Sequence, residues 1–187
     1  MIHIGVDPGN AGAIAVINTL TKEIQFFDTP TVQVKSGKKF KNHMDPHAAS
    51  LILQAFDDTN GLLVTIEKVA PMPNFKGPNG PQAMGVTSAF TFGMGYGMWI
   101  GICAASLIPY QLVHPATWKS KLLRDMGKEK DASRVKAMQL YPQTAKDLTR
   151  KKDHGRGDAL LLAHYGLLFG APATPVLEVE EMEPTLF

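Results

Sequence analysis

Apolar and polar positions along this chain alternate with two periods, and their order outlines an α/β fold. Residues 2–17 and 23–29 are dense in β-branched and apolar side chains. They read as two strands joined by a turn around Asn18 to Lys22, an antiparallel hairpin at the start of the chain. A third strand is expected over residues 31–34, and SGKKFKN, residues 36–42, reads as a basic turn. Residues 45–58 carry helical spacing, with Asp45 placed to cap the helix and Pro46 at its first position, where a missing N–H costs nothing. GLLVTIEKV, residues 61–69, is the β-branched run of a buried parallel strand, with Glu67 at its C-terminal end.

APMPNFKGPNGPQ, residues 70–82, holds four prolines and two glycines and reads as a loop long enough to reach a ligand. A long helix follows over residues 83–108, in which Gly85, Ala89, Gly93, Gly97, Gly101 and Ala105 fall on one face. Small residues at this spacing let a second backbone, of a helix or of the sheet, come close. GMGYG inside it is no dinucleotide loop, since it lies within a helix and not at a strand-to-helix turn. YQLVHP, residues 110–115, reads as a short strand leading into a helix at ATWKSKLL. Basic amphipathic spacing over 131–139 and an apolar pattern from about Asp153 through Phe169 give two further helices. The expected organisation is one domain over residues 1–170 and an acidic, mobile tail over 171–187.

Composition narrows the class. The chain has 187 residues, 44% of them hydrophobic, enough for one buried core. The absence of charge from Gly77 to Pro115 raises a membrane span as an alternative, but Gly, Ser and Thr dilute the stretch and a buried central helix explains it better. The single cysteine, Cys103, has no partner for an internal disulfide and reads as a core thiol. No basic leader with an apolar run and cleavage site opens the sequence, so a cytoplasmic location is expected. Charge is unevenly spread: residues 119–156 carry twelve Lys or Arg against five acids. That segment suits a polyanion, because clustered cations gain affinity by releasing phosphate counterions.

Three acids interrupt apolar sequence: Asp7 in IGVDPGNAGAIAVI (residues 4–17), Glu67, and Asp158 in the final helix. A buried carboxylate costs several kcal/mol unless something pairs with it, and no cationic side chain lies near Asp7 in sequence. If the first strand neighbours the 61–69 strand and the last helix packs on both, the three carboxylates converge. Hard oxygen donors without thiolate suit Mg²⁺ or Mn²⁺. Two such ions about 4 Å apart activate water and stabilise the leaving oxygen in phosphodiester hydrolysis.

The order of these elements, with IGVDPGNAGAIAVI, IEKV and HGRGDALLLAHYG as its sharpest pieces, resembles the RuvC-like Holliday-junction resolvases of the RNase H-like superfamily. FGMGYGMWIGICAA followed by HPATWK is similar to that family's helix and phosphate-contacting lysine region, and the basic turn and acidic tail look more like a phage or viral branch. The resemblance implies a mixed five-stranded sheet with helices on both faces and a metal-dependent endonuclease that resolves four-way junctions by paired symmetric nicks. It implies two Mg²⁺ ions per site, with Mn²⁺ as substitute, held by Asp7, Glu67 and Asp158. A fourth ligand or proton carrier is expected at His154, which shares a helix face with Asp158, with Asp153 as the alternative; the family's usual position for it is Gly155 here. Lys119 resembles the family's active-site lysine, with Lys130 a weaker second. Phe75 would stack on a base at the branch point. Lys76, Lys121, Lys128, Lys130, Arg134, Lys151, Lys152 and Arg156 complete the expected DNA contacts. A homodimer is implied because a four-way junction has two symmetric scissile strands. The terminal Leu186-Phe187 loosely resembles a sliding-clamp motif.

The other histidines, His3, His43, His47, His114 and His164, read as core, loop or turn positions. Rival functions are an RNase H-type or rRNA-processing nuclease of the same fold, an inactive junction-binding module, and an actin-like kinase or ATPase. The last needs two such domains, and nothing in the chain repeats the opening hairpin.

Overall fold

A computed structural model of the chain describes residues 1–56, 61–69, 75–77, 80–82, 85–127, 129 and 131–170. Its strands are β1 (Ile2–Val6), β2 (Ala13–Asn18), β3 (Ile24–Asp28), β4 (Thr31–Ser36), β5 (Lys39–Met44), β6 (Leu62–Glu67), β7 (Phe75–Gly77), β8 (Gly80–Gln82) and β9 (Tyr110–Val113). Its helices are α1 (Pro46–Gln54), α2 (Val86–Ala105), α3 (Pro115–Leu122), α4 (Ala132–Leu140) and α5 (His154–Phe169). Five strands form one mixed sheet in the order β3-β2-β1-β6-β9, antiparallel on the β3 side and parallel from β1 onward. This is the expected five-stranded architecture.

Alternation along the central strands divides the core in two. Ile2, Ile4 and Val6 of β1 and Leu62, Val64 and Ile66 of β6 pack with Trp99 and Cys103 of α2 and Leu53 of α1. Ala13, Ala15 and Ile17 of β2 pack on the opposite face with Trp118 of α3 and the apolar length of α5. The intervening residues, His3 and Gly5 on β1 with Asp7 just past its end, and Leu63, Thr65 and Glu67 on β6, therefore point to the α5 side. Gly5 is needed there: a Cβ would run into the Ala159 carbonyl and the Ala163 N–H, so α5 lies backbone-to-backbone on β1.

Several expectations change. The run over residues 2–17 is two strands, because Asp7 to Gly12 makes a turn closed by Gly12 N–H to Gly9 O at 2.9 Å. Pro8, Gly9 and Asn10 are turn residues whose signal the apolar neighbours masked. SGKKFKN is mostly strand: β4 and β5 form their own hairpin around Gly37 and Lys38. Asp45 does cap α1, accepting the His47 and Ala48 N–H groups at 3.0 and 3.1 Å, but that helix ends at Gln54. The small-residue stripe of α2 faces outward, with nothing within 4 Å of a Cβ built on Gly85, Gly93, Gly97 or Gly101. Trp99 and Cys103 have area to bury and take the inner face, which leaves the glycine face outside. No helix among the described residues is long and apolar enough to cross a membrane. Burial pushes the Cys103 thiol up to about 12, as befits a core residue. The acidic tail, including its Leu-Phe end, lies outside the described residues.

Candidate active site

The two parallel strands β1 and β6 pair in register, Gly5 beside Thr65 and Val6 beside Ile66. One step further, Asp7 and Glu67 leave the sheet side by side at the carboxyl ends of their strands, where open α/β sheets place ligands. The close seating of α5 on Gly5 brings that helix's first turns over the same point. A Cβ on Gly155 would stand 3.2 Å from Asp7 Oδ2 and 3.0 Å from the Ala11 carbonyl oxygen. Gly155 therefore leaves the room that the Asp7 turn occupies, and a larger residue at that position needs the turn to give by a few tenths of an ångström.

The electrostatics follow from this crowding. Asp7 is pushed up to about 7, first by burial and then by the negative charges of Asp158 and Glu67; the Gly9 N–H, 3.3 Å from its Oδ1, and His154 oppose the shift. Glu67 is also raised, chiefly by burial and further by Asp158. Its Oε1 accepts the Trp118 indole N–H at 3.0 Å, and the charges of Lys119 and His114 partly compensate it. Asp158 Oδ1 is buried with no hydrogen-bond partner. Three carboxylates thus share one place with too little positive charge to balance them.

Among the described residues, no three His, Cys, Asp or Glu side chains stand close enough to form a closed metal-ligand cluster. The donor chemistry nonetheless fits a hard divalent cation. The donors are carboxylate oxygens, one of them orphaned, while Cys103 lies in the core on the opposite face of the sheet.

His154 and Asp153 separate cleanly. Asp153 is buried and held by the Arg150 guanidinium at 2.7 Å and the Arg150 N–H at 2.8 Å, which keeps it below the usual carboxylate range. His154 faces Asp7, and its Nδ1 lies 3.2 Å from the Lys152 carbonyl. A carbonyl only accepts, so this contact is a hydrogen bond when Nδ1 carries the hydrogen.

Lys119 lies beside Glu67 with its Nζ 5.0 Å from the Trp118 ring centroid. Lys121, two residues on and so across the helix, sits 4.1 Å from the Phe169 ring centroid at the far end of α5, away from the carboxylates. Arg134 and Arg156, also expected on DNA, make contacts within the fold. Arg134 donates to the Leu148 carbonyl at 2.8 Å and pairs with Asp131. Arg156 grips both oxygens of Asp28 at 2.7 and 3.0 Å. A sequence surplus of cations does not say which of them the fold consumes. Lys151 and Lys152 are exposed. The side chains of Phe75 and Lys76, and all of Lys128 and Lys130, lie outside the described residues.

Sequence reasoning missed Trp118 and His114. Trp118 steadies Glu67, and His114 caps α3 through its Nδ1 while facing that carboxylate. A histidine directly before the Pro115 of a helix start was the available signal. His3 is buried in β1 as expected, while His164 is half-buried and bonded to the Tyr141 hydroxyl at 2.7 Å.

No family model matches the chain. A Chlamydomonas reinhardtii protein named "Holliday junction resolvase MOC1, chloroplastic" is 35% identical over 83 residues, which are 44% of this chain and 9% of that protein. The chain therefore spans less than a tenth of that relative. Among solved structures, T. thermophilus RuvC in complex with a Holliday junction substrate matches with a TM-score of 0.54 and 14% identity, over 92% of this chain and 99% of that one. A second structure of Thermus thermophilus RuvC has a TM-score of 0.49 at 16% identity over the same shares. The fold is that of RuvC, an RNase H-like fold.

Proposed function

We propose that this RuvC-folded chain is a divalent-cation-dependent endonuclease that cuts four-way DNA junctions by paired symmetric nicks. The observation that carries the reading is the convergence of Asp7, Glu67 and Asp158 at the carboxyl ends of β1 and β6, with Asp7 raised to about 7 and an orphaned oxygen on Asp158. Its support from likeness is the RuvC fold and the stretch shared with the junction resolvase named above.

Asp7, Glu67 and Asp158 hold the cations, Mg²⁺ or Mn²⁺, with His154 Nε2 as a further ligand or as the group that carries a proton. Bound there, two such ions supply a nucleophile at neutral pH and neutralise the charge that develops on the phosphate. The chain's own residues set the geometry. The Asp7 turn and Gly155 keep α5 seated so that Asp158 and His154 face the strand ends. Trp118 N–H fixes one Glu67 oxygen and so aims the other. Lys119 places a positive charge beside Glu67, where it meets the scissile phosphate. Phe75, Lys76, Lys128, Lys130, Lys151 and Lys152 contact the DNA around the branch, and two subunits face the two scissile strands. The outward glycine face of α2 is the surface through which a second copy approaches.

The test compares a labelled four-way junction with linear duplex and with an RNA–DNA hybrid, in Mg²⁺ and in EDTA. Junction-confined nicks that require the cation uphold the reading. Cleavage of the hybrid alone moves the protein to the RNase H class, and sedimentation showing only monomer on the junction defeats the paired-nick arrangement.

A further inference from the structure

The β4–β5 ribbon is the largest feature that the proposed chemistry leaves unused. It carries Lys35, Lys38, Lys39 and Lys41, and residues 30–44 contain no acid. All four lysines are exposed, and so are Phe40 at 65%, Val32 at 43% and Val34 at 41%. A two-stranded ribbon exposed on both faces gains little from burial, so nothing in the core explains its composition.

Only the base of the ribbon is anchored. Met44 is buried against the α2 side of the sheet, and the Asp45 N–H bonds to the Pro30 carbonyl at 2.8 Å. The tip turns at Gly37, whose φ of +62° at the first of two turn residues suits glycine. Beside the base, Asn10 donates from Nδ2 to the Asn42 carbonyl at 2.8 Å. Asn10 belongs to the same turn as Gly9, which binds Asp7 Oδ1. A groove of about 350 Å³ opens here, lined by Asn10, Lys41, His43, Thr87, Ser88 and Thr91. The ribbon thus rises beside the Asp7 turn, and the groove between them mixes the hydroxyls and amides and the Lys41 ammonium with apolar surface that includes Phe92.

We infer that the β4–β5 ribbon is a second DNA-binding element, which grips the phosphate backbone of a duplex arm leading away from the cleaved branch. This rests on the nuclease reading above. Charge complementarity selects the occupant: four lysines without an acid match a polyanion, and with Lys35 on one face, Lys39 and Lys41 on the other and Lys38 at the tip, ammonium groups reach phosphates on either side of a groove that admits a two-stranded ribbon. Six-residue strands rise about 20 Å, enough to follow roughly half a turn of duplex. Such contacts fix orientation and strengthen binding without reading bases.

The experiment measures binding of a fluorescent four-way junction in EDTA across a salt series. It compares the unsubstituted protein, the variant with Lys35, Lys38, Lys39 and Lys41 all changed to Ala, and the variant with all four changed to Arg. The Ala variant is expected to bind at least tenfold more weakly, and its log–log salt slope should fall by up to about 3.6, at ~0.9 for each phosphate that is no longer neutralised. The Arg variant should keep both values near wild type, which separates charge loss from misfolding. If the wild-type protein cuts junctions but the Ala variant binds with unchanged affinity and slope, the inference fails and the nuclease reading stands. If the wild-type protein neither binds nor cuts junctions, both fail. If sedimentation shows the Ala substitutions altering self-association and not DNA affinity, the ribbon serves a second copy of the chain and the inference is overturned.

Discussion

Replacing Asp7 by Asn should stabilise the cation-free protein at neutral pH while abolishing cation binding. Asp7 rises from 3.8 to about 7 on folding, roughly three units. At about 1.4 kcal/mol per unit this is a penalty of up to about 4 kcal/mol, shared among burial and the charges of Asp158 and Glu67. The sign follows from linkage. The folded protein binds the proton more tightly than the unfolded chain, so the penalty is absent below about pH 4, grows as pH rises, and is complete above about pH 7. Asn keeps an oxygen acceptor for the Gly9 N–H and removes the charge. In EDTA, thermal melts at pH 5 should differ little, whereas at pH 8 the variant should melt several degrees higher, since 1 kcal/mol moves Tm by about 2–4 °C at this size. Mg²⁺ should raise the wild-type Tm at pH 8 and leave the variant unmoved. A variant less stable than wild type at pH 8 in EDTA, or two parallel pH curves, would refute the reasoning.

Other substitutions separate the roles assigned at the site. Asp153→Asn should cost about 1–3 kcal/mol in urea unfolding by breaking charged hydrogen bonds to Arg150, yet leave Mn²⁺ affinity by calorimetry unchanged. His154→Ala should do the reverse, weakening Mn²⁺ binding while stability stays within about 0.5 kcal/mol. Trp118→Phe removes the N–H that holds Glu67 and should lower single-turnover cleavage about tenfold, equivalent to ~1.4 kcal/mol, with little change in DNA affinity. Gly155→Ala forces a methyl group between the Ala11 carbonyl and Asp7, so cleavage should fall together with about 1–3 kcal/mol of stability.

The parts legible in the sequence were those written by periodicity and by charges out of place. β6 announced itself by its β-branched run, α1 by Asp45-Pro46, and the candidate site by three acids interrupting apolar sequence. The Asp7 turn was hidden because Ile4 to Val6 and Ala13 to Ile17 are both buried, so hydrophobicity continues across a reversal of direction. The glycine stripe was seen but its direction was not, since spacing defines a face without saying whether Trp99 or Gly97 turns inward. Arg134 and Arg156 look like any other cations until the fold sets Leu148 and Asp28 beside them. Trp118 became visible only when β6 and α3 met, a contact 51 residues apart in the chain.

The most direct test of the central claim is cleavage of a four-way junction labelled in turn on each strand, by wild-type protein and by Asp7→Asn, with Mg²⁺ and with EDTA. Paired nicks at symmetric positions, with ligatable 5′-phosphate ends, are predicted for the wild-type protein in Mg²⁺, and no product in the other conditions. Nicks that persist in Asp7→Asn, or equal cutting of linear duplex, would contradict the claim.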